Sequence, residues 1–321
     1  MMQRATKILL SVALILILVG GAAFTVLLAH CDWEFTKLSE KRYETHTYEI
    51  TESIDRLFIS ADTADIRILP AEDSICRIVT RDHRDITYTP TVEDGTLTVA
   101  HSDERAWHDH ITFFGGRSTV TVYLPAGEYA ALTVATSTGD VEIPRDFTFG
   151  SMKITLSTGD ITTSASVTGE ARFTASTGDI TLAGLSAGTL TLAVSTGDIT
   201  LADVACAGKL DITVDTGRTQ MTAVTCGGVM SRGDTGDLIM SGVVATGAFS
   251  IERDSGDVTL NDCDAAEVFV KTSSGDVRGR FLTDKVFLVE TSSGDREVPR
   301  TTSGGRCEII TSSGDVVFRE P

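Results

Sequence analysis

Nine aspartates occupy the same point of a recurring pattern: Asp140, Asp160, Asp179, Asp198, Asp237, Asp257, Asp276, Asp295 and Asp315 each follow a glycine that is preceded by Thr or Ser. Stacked in register, these carboxylates would line one edge at close spacing and repel one another. Calcium could bridge them, since it takes several oxygens from carboxylates and turn carbonyls. Asp160, Asp179 and Asp198 are the candidate ligands for such an ion. The simpler expectation is that each Asp bonds the free amides of its own turn and stays solvated. The nine-residue period of calcium-binding β-rolls is not present, and Arg218 interrupts the column as an internal counter-ion.

A second group with ligand chemistry is the stretch from His101 to His110, which holds three histidines and three acids. In an extended segment His108 and His110 face the same side, so the pair could donate to zinc or a similar metal. A lone His-x-His is a weak signal, and a solvated loop is the expected state. Cys206 and Cys226 each lie nine residues after their repeat glycine, which brings them close on adjacent coils and makes a disulfide geometrically feasible. Cys263 and Cys307 fall on apolar columns and read as small core residues.

Little here points to catalysis. All six histidines lie at or before His110, so a His-assisted nucleophile within the repeats is excluded. Carboxylate pairs are plentiful enough for a glycosidase, which needs only two at a suitable separation. They are regularly spaced turn residues, however, not a local cluster. A non-enzyme is expected, with no cofactor beyond the calcium alternative.

The elements that carry these residues repeat. The Thr/Ser-Gly motif places glycines at 139, 159, 178, 197, 217, 236, 256, 275, 294 and 314, in steps of 19 or 20. Five residues before each glycine stand Val134, Ile154, Phe173, Leu192, Ile212, Ser231, Ile251, Val270, Val289 and Ile309. Apolar residues also occupy the positions seven before, two after and four after, while charged residues fall between them. Alternation with period 2 on both sides of the glycine gives two half-buried strands per repeat. A second turn nine residues before each motif is marked by Gly150, Gly169, Gly188, Gly208, Gly227, Gly247 and Gly305, with Ala266 and Lys285 in the two remaining places. One coil cannot bury its narrow apolar row, but ten stacked coils can. The fold class is therefore all-β: a parallel β-solenoid with two short strands per 19–20-residue coil. At ~4.8 Å per stacked strand the array is roughly 45–50 Å long. The outward ladder Thr162, Thr181 and Thr200 is ordinary β-sheet composition.

Residues 43–130 read as an irregular β cap. Leu57 to Ile68 copies the repeat, with Ala64 in the glycine place and Asp65 after it. A hairpin of Thr96–Ala100 against Ser118–Leu124 is expected next, before residues 131–321 form the solenoid. Gly314 to Phe318 supplies a final half coil, whose open end offers a route to self-association.

Forty-five acidic against 27 basic residues give a net charge of −18, which argues against a nucleic-acid partner. Residues 8–29 form an apolar run of 22, long enough as a helix to cross a bilayer. Arg4 and Lys7 precede it, and Asp32 and Glu34 follow it. That asymmetry predicts a single-pass anchor with residues 1–7 cytoplasmic, a 30–42 juxtamembrane linker and everything beyond it extracytoplasmic, with a cleaved signal peptide or lipidation at Cys31 as the alternatives.

The stretch Val120 to Pro125, then Leu132 to Val141 with its Ser-Thr-Gly-Asp, then the iterated Ser-Thr-Gly-Asp-Ile resembles the bacterial putative-adhesin family, a β-strand-repeat domain of unknown function. The resemblance spans roughly residues 50–318. It implies an envelope-facing or membrane-anchored β-repeat protein, and similar domains occur beside envelope-stress regulators. The family has no established catalytic residues to carry over. The expected role is a non-catalytic adhesion, scaffold or envelope-sensing module, with envelope glycan or a membrane protein as partner. An accessory regulator of a membrane signalling system is the first alternative, and a glycan-processing enzyme the second.

Overall fold

The computed structural model describes residues 13–22, 25, 43–83, 86–103 and 118–321. Residues 13–22 are helical. They are the middle of the apolar run 8–29, most of whose remainder lies outside the described residues. Among the described residues no helix is long and apolar enough to cross a membrane.

The strands begin with β1 Tyr43–Ile50, β2 Arg56–Pro70, β3 Cys76–His83, β4 Ile86–Glu93, β5 Thr96–Asp103, β6 Ser118–Leu124, β7 Gly127–Thr138 and β8 Val141–Ile143. From there the repeat continues to Arg319 as a parallel β-solenoid of about ten turns. Like residues stack on like: Ile161 pairs with Ile180 and Ile180 with Ile199, while Phe173 pairs with Leu192 and Leu192 with Ile212. These inward residues are fully buried and form one thin core. The motif glycines make this stacking feasible. Gly159 has φ +137°, and a Cβ there would lie 2.1 Å from the Gly139 carbonyl oxygen. Only a residue without a side chain meets both demands.

Each coil has three inward-facing segments, not two. Between Gly178 and Gly197 they are Ile180 and Leu182, then Leu185 and Ala187, then Leu190, Leu192 and Val194. The extra corner lies six residues after the motif glycine. There the backbone turns left-handed at Gly184 (φ 64°), Asp203 (54°), Ala223 (53°), Gly242 (64°) and Asp262 (51°). The middle segment then bends into the third through the mid-repeat glycine, with a register shift between Ala187 and Leu190. Pairing continues around that bend, so one long strand such as Ser186–Thr196 covers two sides and a short one such as Ile180–Ala183 the third.

β2 supplies two sides of a further coil. It stacks on β7 and β8 through one edge, with Leu57, Ile59, Ile66 and Ile68 pointing inward. Along its other edge lie β5, beside residues 56–60, and β6, beside residues 64–70. The expected hairpin of β5 with β6 is replaced by this arrangement: both run parallel to β2 as successive sides of one further coil. Their antiparallel partners are β4 and β3, and β1 closes the layer on β3.

The other end is stacked out of chain order. Gly305–Ser313 pairs with Glu267–Ser274 on one edge and with Lys285–Ser293 on the other. On the short side Val316–Arg319 lies likewise between Val277–Phe281 and Arg296–Glu297. The coil that comes later in the chain is thus tucked between two earlier ones, and the outermost coil is 285–297. The expected open end at Gly314 is an internal layer. Phe281, Phe287 and Phe318 close the core here, with Phe281 and Phe318 stacked at 5.1 Å between centroids.

Candidate functional site

The aspartate column forms a ladder of hydrogen bonds between coils. The Asp160 amide donates to Asp140 Oδ1 at 3.0 Å, Asp179 to Asp160 at 2.8 Å, and Asp198 to Asp179 at 2.7 Å. The ladder starts at Asp65, which accepts from the Asp140 amide, and pauses after Arg218 has donated to Asp198. It resumes through Asp237, Asp257 and Asp276, then follows the tucked order to Asp315 and Asp295. From Asp140 to Asp315 the carboxylates therefore serve the neighbouring coil, in place of the own-turn amides expected from sequence. The reason is that the amides of their own turns are already taken: Gly178 N–H bonds Thr196 O and Ile180 N–H bonds Asp198 O. In-register stacking delivers the neighbouring Asp amide instead.

Asp160, Asp179 and Asp198 are brought together as rungs of this ladder. Among the described residues no group of three or more His, Cys, Asp or Glu is placed to hold a metal ion. His108 and His110 lie outside the described residues. Cys206 and Cys226 are register partners, both buried and facing inward, and both are free thiols. Burial pushes the Cys226 thiol up to about 11 and raises that of Cys206.

The clearest concavity is on the outer face of the short side, near the tucked end. It has a volume of about 740 Å³ and is lined by Asn261, Asp262, Asp276, Arg278, Arg280, Asp315, Val317 and Arg319, with Gly279 in its floor. Through the middle coils this face carries small neutral residues such as Thr181, Ala183, Thr200 and Ala202. At the groove it changes to arginine, asparagine and aspartate. Arg278 is held by Asp257 and, at 3.7 Å, by Asp276. Arg280 donates through Nε to Asp262 Oδ1 at 2.8 Å. Arg319 has no ionic partner among the described residues and is exposed. The groove depends on the tucked order. In simple chain order Arg278 and Arg280 would face Glu297 and Pro299, whereas the observed stacking puts Val317 and Arg319 there.

Three buried polar groups were not foreseeable from the pattern. Arg253 turns into the core, where Nη2 donates to Ser231 Oγ at 2.9 Å and Thr219 Oγ1 at 3.3 Å. Its guanidinium uses the space that Gly233 leaves empty. Burial lowers its pKa to about 10, so it stays charged at neutral pH. Lys285, only 3% exposed, donates to Asp264 Oδ1 at 2.5 Å and to Thr283 Oγ1 at 2.7 Å. Burial would raise the Asp264 carboxyl, but the bonds from Lys285 and Thr283 outweigh it and hold it below its usual value. In the cap, burial pushes Asp82 up to about 6, against the opposing pull of the Thr80 and Ser118 hydroxyls. The sequence hints were slight: Arg253 interrupts a column of small and apolar residues, Lys285 stands in the place of a mid-repeat glycine, and Asp82 lies outside the repeat.

A three-sided parallel β-solenoid, stapled by an aspartate ladder and carrying a charged lateral groove, defines a β-repeat protein. The chain belongs to the Toastrack DUF4097 family, whose model matches residues 54–222 and again 207–321. Crystal structures of similar fold include a protein described as a putative lipid binding protein from Parabacteroides distasonis ATCC 8503. It is 14% identical with a TM-score of 0.51, covering 75% of this chain and 98% of that one. A putative adhesin from the same organism is 12% identical with a TM-score of 0.47, covering 87% and 98%. Another, from Bacteroides fragilis NCTC 9343, is 14% identical with a TM-score of 0.42 and the same coverage. None of the curated proteins matches.

Proposed function

We propose that this chain is a membrane-anchored, extracytoplasmic solenoid that works as a non-catalytic adhesion or scaffold module, with envelope glycan as its ligand. The observation that carries this reading is the lateral groove, where a long neutral face gives way to a cluster of directional polar groups. Arginine, asparagine and aspartate together suit a ligand rich in hydroxyls. The ladder carboxylates are committed to neighbouring amides, which fits a structural part for them and not an acid–base one. The apolar run 8–29, with basic residues before and acidic residues after, supports a single-pass anchor that holds the solenoid outside the membrane.

The test is to crosslink the full chain in its native membrane and identify what it captures. Glycan recovered without a reproducible protein partner supports the adhesion reading. Specific membrane proteins in place of glycan would overturn it in favour of a regulator of membrane signalling. Sugar released from envelope glycan, and lost on changing Asp276 to Asn, would make it an enzyme.

A further inference from the structure

The groove's lining narrows the ligand further, resting on the glycan reading above. Three arginines and three aspartates face it, so the site as a whole is close to neutral. A polyanion would meet Asp262, Asp276 and Asp315 as well as the arginines and would be repelled as much as attracted. A wholly neutral sugar would make no use of the charge on Arg319, which has no ionic partner among the described residues. Arg278 and Arg280 are already engaged by aspartates, which fixes their planes and leaves further N–H groups to donate. Arg319 alone offers an unpaired guanidinium, the group best matched to two-point recognition of a carboxylate.

We infer that the groove binds a saccharide unit bearing a single carboxylate. Arg319 pairs with that carboxylate, Asn261 donates to or accepts from its hydroxyls, and Asp276 and Asp315 accept from them. No aromatic ring lines the groove, so the sugar is held by hydrogen bonds alone. A single site of this kind is weak, and a repetitive glycan carrying many such units would bind through many copies of the protein at once.

Calorimetric titration of the full chain in detergent tests this with three probes: 3′-sialyllactose, its methyl ester, and inorganic phosphate. The acid should bind, and the ester should bind at least about tenfold more weakly, as expected for loss of a charged bidentate pair. Arg319→Gln should reproduce that loss on the acid without changing ester binding, while Arg145→Gln, far from the groove, should change neither. Arg319 is exposed, so an unchanged circular dichroism spectrum is expected for its variant. Equal binding of acid and ester would overturn the carboxylate assignment and leave the glycan reading standing. Phosphate binding as tight as the acid would overturn it as a general anion site. No binding of either sugar overturns the inference; whether the glycan reading falls with it is decided separately by the crosslinking result.

Discussion

Substituting alanine at two glycines of one coil system separates close approach from backbone conformation. Gly159 and Gly184 both have positive φ, but they differ in surroundings. At Gly159 an added Cβ would lie 2.1 Å from Gly139 O, whereas at Gly184 nothing lies within 4 Å. Alanine at Gly184 has to bear only a left-handed conformation, which costs about 1–2 kcal/mol; the natural Ala223 already does so at the equivalent corner. At Gly159 the φ of +137° falls in territory that is essentially glycine's own, costing about 1–3 kcal/mol. The coils must also separate locally, which weakens the Gly139 N–H bond to Thr158 O and the Asp160 bond to Asp140. Those two bonds add about 1 kcal/mol each. The expected total is about 3–5 kcal/mol, a large share of a domain's stability. Urea unfolding of the full chain in detergent, followed by far-UV circular dichroism, reads both variants against the parent. The reasoning fails if Gly159→Ala is no more destabilising than Gly184→Ala.

Asp82 titrates higher in the folded chain than unfolded, so the fold holds the extra proton between about pH 4 and 6 and loses stability as pH rises through that window. Asp82→Asn should flatten this slope and raise stability at pH 7.5 by about 3 kcal/mol, the equivalent of a two-unit shift; an unchanged pH profile of melting temperature would count against it. Asp264→Ala leaves the Lys285 ammonium buried alone and should cost about 3 kcal/mol in the same urea experiment, while a loss below 1 kcal/mol would mean the ammonium finds water. The depressed Asp264 carboxyl adds stability that is present above about pH 4, its unfolded value, and lost as pH falls through its folded one. Iodoacetamide at pH 8 should leave Cys76, Cys206, Cys226, Cys263 and Cys307 unlabelled until denaturant is added, because all are buried. Mass spectrometry showing native labelling, or a Cys206–Cys226 disulfide, would contradict that.

The repeat period, the inward columns and the glycine turns were legible because each is a local pattern written ten times. The third corner was not, since Gly184, Asp203, Ala223, Gly242 and Asp262 share a backbone conformation without sharing a residue type. Gly184 and Gly242 alone could have signalled it. The aspartate column was visible, but the partner of each carboxylate depends on which amides the backbone has already used. The groove was out of reach because Arg280 and Arg319 meet only through the out-of-order stacking, and no local pattern records the order of layers. Arg253 reads locally as an error in an apolar column. Its acceptability is decided by Ser231, Thr219 and Gly233 on other coils.

The tucked coil sets a problem of timing. Residues 285–293 and 305–313 carry the same alternating pattern, and both fit against Glu267–Ser274 in principle, yet only the later segment takes that place. As the chain emerges, the earlier segment arrives first and can settle in the vacant berth, from which it must be evicted before the native order forms. Simple zipping in chain order would therefore give the wrong stack at this end, because the berth belongs to the later of two similarly patterned segments. Once the later segment is in place the same topology acts as a latch. The outermost layer can peel away without freeing the layer beneath, and that inner layer cannot leave until the outer one has been displaced.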